Sequence, residues 1–249
     1  MYGLYLFYKS LLLLFTFSLL SLNAADAPMV NLSVAAIDQP AQFVRTINIA
    51  IILTLLVLAP TLLLMVTSFT RLVIVFSLLR QALGLQQSPP NQVIISLSLI
   101  LTMFIMEPYG KAAWNDGIKP YMDEQINYEV AFERGVKPFK EFMIKNTREN
   151  DLALFYRIKN EENPKNIDDV SIILLMPAFV VSELRTAFEI GFLIFLPFLV
   201  IDIIVASILM SLGMMMLPPV MISLPIKIIF FILIDGWHLI IGNLAQSFK

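Results

Sequence analysis

From Ile47 to Val66 no residue carries an ionisable side chain, and Pro60 is the one helix-perturbing residue in the run. A stretch of this kind, about 20 residues long, crosses the hydrocarbon core of a bilayer as a single helix. Inside that core every backbone N–H and C=O must be bonded within the protein, which leaves helices and closed barrels as the only spanning structures. The composition of the whole chain leans the same way. Of its 249 residues, 58% are hydrophobic and 14% charged, whereas a water-soluble domain carries about a quarter charged residues. The surplus apolar surface must be covered by lipid or by other protein, so the expected fold class is an all-α membrane protein built of helical hairpins.

Composition also removes function classes. A net charge of -2, with no cluster of Lys and Arg interleaved with aromatics, gives no footprint for nucleic acid. Cysteine is absent, so there is no disulfide framework and no thiolate to act as nucleophile or soft metal ligand. One His, no Walker-type glycine-lysine loop and no Gly-x-Ser-x-Gly elbow leave little from which to build an active site. No enzymatic activity, cofactor or metal is expected.

At the N-terminus, Lys9 supplies a positive n-region, Leu11 to Leu20 an uncharged apolar run, and Asn23-Ala24-Ala25-Asp26-Ala27 small residues for cleavage. Residues 1–25 therefore read as a signal peptide, cut after Ala24 or Ala25. An uncleaved first membrane helix is the competing reading, but the run is shorter than the about 20 residues of a span. Cleavage places the 26–46 segment in the periplasm and sets the side of everything downstream. Arg71 and Arg80 follow the 47–66 run, with no acidic residue between Val66 and Gln92, the bias of a cytoplasmic connection. Residues 67–92 are expected to form that loop, its two arginines fixing topology. Val93 to Met106 is apolar but only about two thirds of a span. Glu107-Pro108 is expected to stop both the apolar run and the helix. Residues 47–108 thus make a first membrane hairpin.

Most of the charged residues fall between Tyr109 and Val170, with both signs mixed, so 109–170 is expected to be a water-facing helical domain, periplasmic by parity. Apolar positions recur at three- or four-residue steps through Met122, Ile126 and Val130, then Phe139, Phe142 and Met143, then Leu152, Phe155 and Ile158. That spacing predicts amphipathic helices, the first separated from the second by Gly135 and Pro138.

The region 171–249 departs from an ordinary bundle. Asp168, Asp169 and Ser171 offer an N-cap ahead of Ile172 to Val181, and Glu183, Arg185 and Glu189 then form a charged hinge before Gly191 opens another apolar stretch. Gly191 to Leu212 carries Pro197 and Asp202; Val220 to Leu244 carries Pro225, Lys227, Asp235 and His238. Ionisable groups in such segments face protein or water and pair with one another. Lys227 needs an acidic partner, and Glu183 is the candidate, in the same or an adjacent subunit. A local Arg185–Glu189 pair at i,i+4 spacing and snorkelling of Lys227 are the alternatives. Asp202 and Asp235 rank as packing or capping groups ahead of a proton path, since no chain of further titratable groups accompanies them. Between Gly213 and Pro218-Pro219 the chain must turn, and Met214-Met215-Met216 lie in that 213–219 loop. By residues alone this methionine run either fills irregular core space or lines a deformable constriction.

Three stretches resemble the FliP family. Pro177-Ala178-Phe179-Val180-Val181-Ser182-Glu183-Leu184-Arg185-Thr186-Ala187-Phe188-Glu189-Ile190-Gly191-Phe192 is similar to the family signature. Leu196 through Asp202 and on to Ser211 through Pro219 is similar to a second hallmark, and Ser68-Phe69-Thr70-Arg71-Leu72 running on to Arg80-Gln81-Ala82-Leu83-Gly84 to another. The resemblance implies a subunit of the type III protein export gate of the flagellum, present in several copies in the inner membrane at the basal body. It implies assembly with FliQ and FliR, with FlhB around the cytoplasmic entrance and FlhA close by, into a cone that passes unfolded flagellar proteins. It also implies that Met214, Met215 and Met216 form a gasket across the channel. A cleavable signal and a sizeable 109–170 domain look more like the flagellar branch than the virulence-secretion (injectisome) relatives. Two rivals from other classes are a small-solute transporter, against which the lack of two related halves speaks, and a passive scaffold.

Overall fold

The computed structural model describes residues 40–164, 166, 169–214 and 217–248, and all regular structure among them is helical. The expected signal peptide at 1–25, most of the 26–46 segment, Asp168, Met215 and Met216 lie outside these residues. Two helices come first, α1 (Pro40–Met65) and α2 (Phe69–Ala82). Then α3 (Asn91–Ala113) continues through a π-helical turn (Trp114–Ile118) into α4 (Lys119–Met122). The remaining elements are α5 (Tyr128–Asn146), α6 (Glu149–Lys159), α7 (Ile172–Ser211), α8 (Pro219–Leu233) and α9 (Gly236–Gln246). Residues 40–54 and the described residues from Leu55 onward belong to separate units, and the second contains every candidate site residue. The helix running Asn91–Met122 and α7 are each long and apolar enough to cross a bilayer, with mean hydropathies of 1.7 and 2.8. The pair α8 and α9, bent by 64° at their junction, passes the same test together.

The second unit is built around α2. Leu72, Val75, Phe76 and Leu79 recur at three- and four-residue steps and are at most 2% exposed, and α2 packs along both α7 and α3. Each such side chain contributes about 1.5–3 kcal/mol on burial. Arg71 lies against Glu183 and Leu78 against Gly191, so α2 and α7 run parallel. Short turns at 83–90 and 212–218 reverse the chain into α3 and α8. Lys227, just past the middle of α8, reaches the carbonyl of Ala82 at the end of α2, which sets the 83–90 turn beside α8.

Several expectations are corrected. The anticipated 67–92 loop is largely α2, a core helix; positive charge marks the side of a membrane a segment belongs to and does not preclude a buried helix when the charge is paired. Glu107-Pro108 does not stop α3, which runs on to Ala113. Proline removes one N–H and displaces one carbonyl, and here Pro108 sits on an exposed side while Met106 and Ala113 are buried on either side of it. Gly135 and Pro138 lie inside α5 instead of dividing it. Gly135 marks a helix crossing: a Cβ on Gly117 would stand 2.8 Å from the Ala131 carbonyl oxygen and 2.8 Å from the Gly135 nitrogen. The break falls earlier, at Glu124, which takes a left-handed φ of 57°.

The charged hinge at 183–189 is likewise absent. Residues 172–211 are one 40-residue helix with Pro177 and Pro197 inside it, and its buried stripe runs through Ala178, Ser182, Glu183, Ala187 and Gly191. The apolar stretch from Val220 to Leu244 is two helices, broken where Asp235 adopts φ 51°, a left-handed conformation that an α-helix cannot propagate.

Candidate functional site

Glu183 is fully buried and Arg71 is 3% exposed. Arg71 faces the core because it lies one helical step from Leu72 and Val75 on α2, and Glu183 because it shares the buried stripe of α7. The Arg71 Nε donates to Glu183 Oε2 at 2.8 Å, and Nη2 donates to Oε1, a two-pronged charge-assisted pair. The rest of the guanidinium is also engaged. Nη1 donates to the carbonyl oxygen of Ser247 at 3.1 Å and to its Oγ at 2.9 Å, and Nη2 donates to Asn146 Oδ1 at 3.3 Å. The ring of Phe248 lies 3.8 Å from the guanidinium carbon. The node therefore ties α2 and α7 to the end of α5 and to the residues after α9.

A second buried cation lies toward the opposite end. Lys227, 5% exposed, donates from Nζ to Asp202 Oδ2 at 2.6 Å and to the Ala82 carbonyl at 3.2 Å. Asp202 Oδ1 is enclosed without a hydrogen-bond partner among the described residues. The expected Glu183–Lys227 pair is not formed within the chain. Glu183 lies at the Arg71 end of α7, whereas Lys227 enters at the Ala82 end, so each takes the oppositely charged group nearest to it. Arg71 is accordingly more than a topology marker.

A third cluster is half exposed. Arg185 and Glu189 make the anticipated i,i+4 pair at 3.2 Å, and Arg148 clamps the same carboxylate at 2.7 Å and 3.1 Å. The hydrogen bond to Glu189 holds the Arg148 guanidinium above its ordinary pKa. Beneath it, Ser182 Oγ donates to Asp151 Oδ2 at 2.6 Å and accepts the Arg148 backbone N–H at 3.0 Å. Arg80 braces the 83–90 turn by donating to the Pro89 carbonyl and to Asn91 Oδ1. Asp235 and His238 are exposed. Asn146, Ser247 and Phe248 carry no signal in the sequence, since neither a polar residue at a helix end nor a single Phe declares its partner.

At the 212–218 turn, α7 closes on Gly213 at φ 72°, a conformation glycine adopts without strain. The N–H of Gly213 bonds back to Met210 and that of Met214 to Leu209, the paired bonds of a Schellman cap. The Met214 side chain is 42% exposed. Among the described residues no cluster of His, Cys, Asp or Glu has the make-up of a metal site.

A chain whose described residues fold only into helices, two of them of bilayer length and a third pair forming a broken span, with charges buried between them, is a membrane-embedded protein. The family profile of FliP matches residues 52–244. Similar proteins include the flagellar biosynthetic protein FliP of Pectobacterium carotovorum, 52% identical over 203 residues, covering 82% of this chain and 79% of that one. Its counterpart in Bacillus subtilis is 49% identical over 211 residues, covering 85% and 96%. That of Caulobacter vibrioides is 50% identical over 205 residues, covering 82% and 77%. The chain belongs to the FliP family, whose named relatives here are all flagellar biosynthetic proteins.

Proposed function

We propose that this chain is the pore-forming subunit of the flagellar type III protein export gate. Several copies assemble with FliQ and FliR in the inner membrane, with FlhB and FlhA at the cytoplasmic entrance, and enclose a conduit for unfolded flagellar proteins. The 109–170 segment lies in the periplasm, and the hairpins stack into a cone. The turns at 83–90 and 212–218 face the cytoplasm. The observation that supports this reading best is the 212–218 turn: a glycine-capped helix end carrying an exposed methionine, at the end of an apolar helix whose unit buries Arg71, Glu183 and Lys227. Methionine is unbranched and deformable, so a ring of such turns, one per copy, closes by dewetting and yields to a passing polypeptide. Neighbouring subunits cover the apolar faces left exposed on α7 and α8.

The test is replacement of Met214, Met215 and Met216 together by alanine. Co-purification with FliQ and FliR is expected to persist, while ion conductance through the closed complex in planar bilayers rises. A complex that stays ion-tight after the replacement refutes the gasket.

A further inference from the structure

The Arg71 node bears on α9 in a way that is independent of the pore. Only Gly236 and Leu244 of α9 are buried; Trp237 is 41% and Leu239 49% exposed. At its start the helix is joined to α8 through Asp235 in a left-handed conformation and a 64° bend, so no continuous helix holds its direction. Both flanks are incompletely packed. A cleft of about 340 Å³ separates α9 from Ile190, Leu193 and Ile194 of α7. Another of about 270 Å³ lies between Ile241 and Pro89, Val93 and Leu97, while Trp237 keeps ring contacts with Phe76 at 6.5 Å and with Phe231 at 5.6 Å. Beyond its far end, packing is tight. Phe248 is 4% exposed, with the Arg71 guanidinium 3.8 Å from its ring centroid and the Phe142 ring stacked at 6.0 Å and 23°. Ser247 Oγ donates to the Leu244 carbonyl while accepting from Arg71, and the Ser247 carbonyl accepts from Arg71 as well.

We propose that α9 is a hinged flap, pivoting at Asp235 and held shut by a latch formed by Ser247 and Phe248 on the Arg71–Glu183 pair. A cation sandwiched against an aromatic face gains from the ring quadrupole, and more so where water is excluded. The latch residues also complete the coordination of a buried guanidinium that would otherwise hold unpaired donors. The node therefore couples two events. While Arg71 is fully bonded, α9 is closed; releasing Ser247 and Phe248 frees α9 to swing as a unit and opens both clefts, with α2 and α7 still joined through Glu183.

Hydrogen exchange of the full chain in lipid nanodiscs reads this directly, because cooperative units open with their own free energies. Phe248→Leu keeps an apolar side chain of somewhat smaller volume and removes the ring face; Ser247→Ala removes one bond to Arg71. In Phe248→Leu the amides of residues 239–246 are expected to exchange about tenfold faster than in the native chain, while those of residues 72–79 keep their protection. Ser247→Ala is expected to give a smaller change in the same segment, and it decides the matter if Phe248→Leu does not fold. Unchanged exchange at 239–246 in the folded variants overturns the latch. Equal acceleration at 72–79 also overturns it, because Phe248 would then be an ordinary member of the core.

Discussion

Arg71 and Glu183 are so fully enclosed that neither can lose the other without leaving a charge in apolar surroundings. Breaking a buried pair by removing one member costs about 3–5 kcal/mol, far more than the pair itself contributes, because desolvation of both ions offsets most of their attraction. Arg71→Ala and Glu183→Ala are therefore expected to lose stability by that amount each. The double replacement Arg71→Met with Glu183→Leu is expected to recover most of it. Thermal unfolding in detergent, run as a double-mutant cycle, checks both; additive losses would show that the two side chains do not act as a pair. Arg71→Lys is expected to fall between, since an ammonium cannot reproduce the two-pronged geometry. Sequence could supply Glu183, Lys227, Arg185 and Glu189 as charges requiring partners, but only Arg185–Glu189 was legible as a pair, because four residues within one helix fix the distance. Pairing across 112 positions depends on helix register, which periodicity leaves free.

Helix type and approximate extent were readable from apolar spacing, whereas the breaks were not. Proline and charge predict interruptions at 107–108, 138 and 183–189, and in each case the helix continues. Neighbouring helices that bury the flanking turns keep a proline-bearing helix intact, as they do in membrane proteins generally. The true breaks at Glu124 and Asp235 depend on left-handed backbone, which glutamate rarely adopts and aspartate adopts in only a minority of its positions, so neither residue marks the break in sequence. Glycine is informative for the opposite reason. At Gly117 the atoms that would meet a Cβ are backbone, at 2.8–2.9 Å, so they cannot swing aside. Gly117→Ala is expected to force the π-helical turn away from α5 and cost about 1–3 kcal/mol. Gly110→Ala, whose added carbon meets nothing within 4 Å, is expected to be neutral or stabilising by up to about 1 kcal/mol through helix propensity. Denaturant unfolding of the two variants side by side measures the contrast, and equal effects would remove the crossing as the reason for glycine at 117.

For the whole molecule the decisive feature is what the inward-turned charges leave outside. Along α7, Leu196, Val200, Ile203 and Met210 recur at helical spacing on one exposed face, between 41% and 64% accessible. Either lipid or another subunit covers such a face, and the two make different demands on a charge placed there. Lipid resists it: a carboxylate at the centre of a membrane helix costs about 2.5–3.5 kcal/mol on insertion scales and far more for an isolated helix in simulation. A subunit interface tolerates insertion but loses its packing, and an uncompensated charge there disrupts association. Ile203→Asp separates the cases. If copies of this chain and its partners cover α7, the variant is expected to remain resistant to alkaline extraction from membranes while the detergent-solubilised complex falls to single-chain mass by native mass spectrometry. If lipid covers α7, the variant fails to insert, or the assembly survives unchanged. Either of those results would leave the conduit without the wall that α7 is proposed to form.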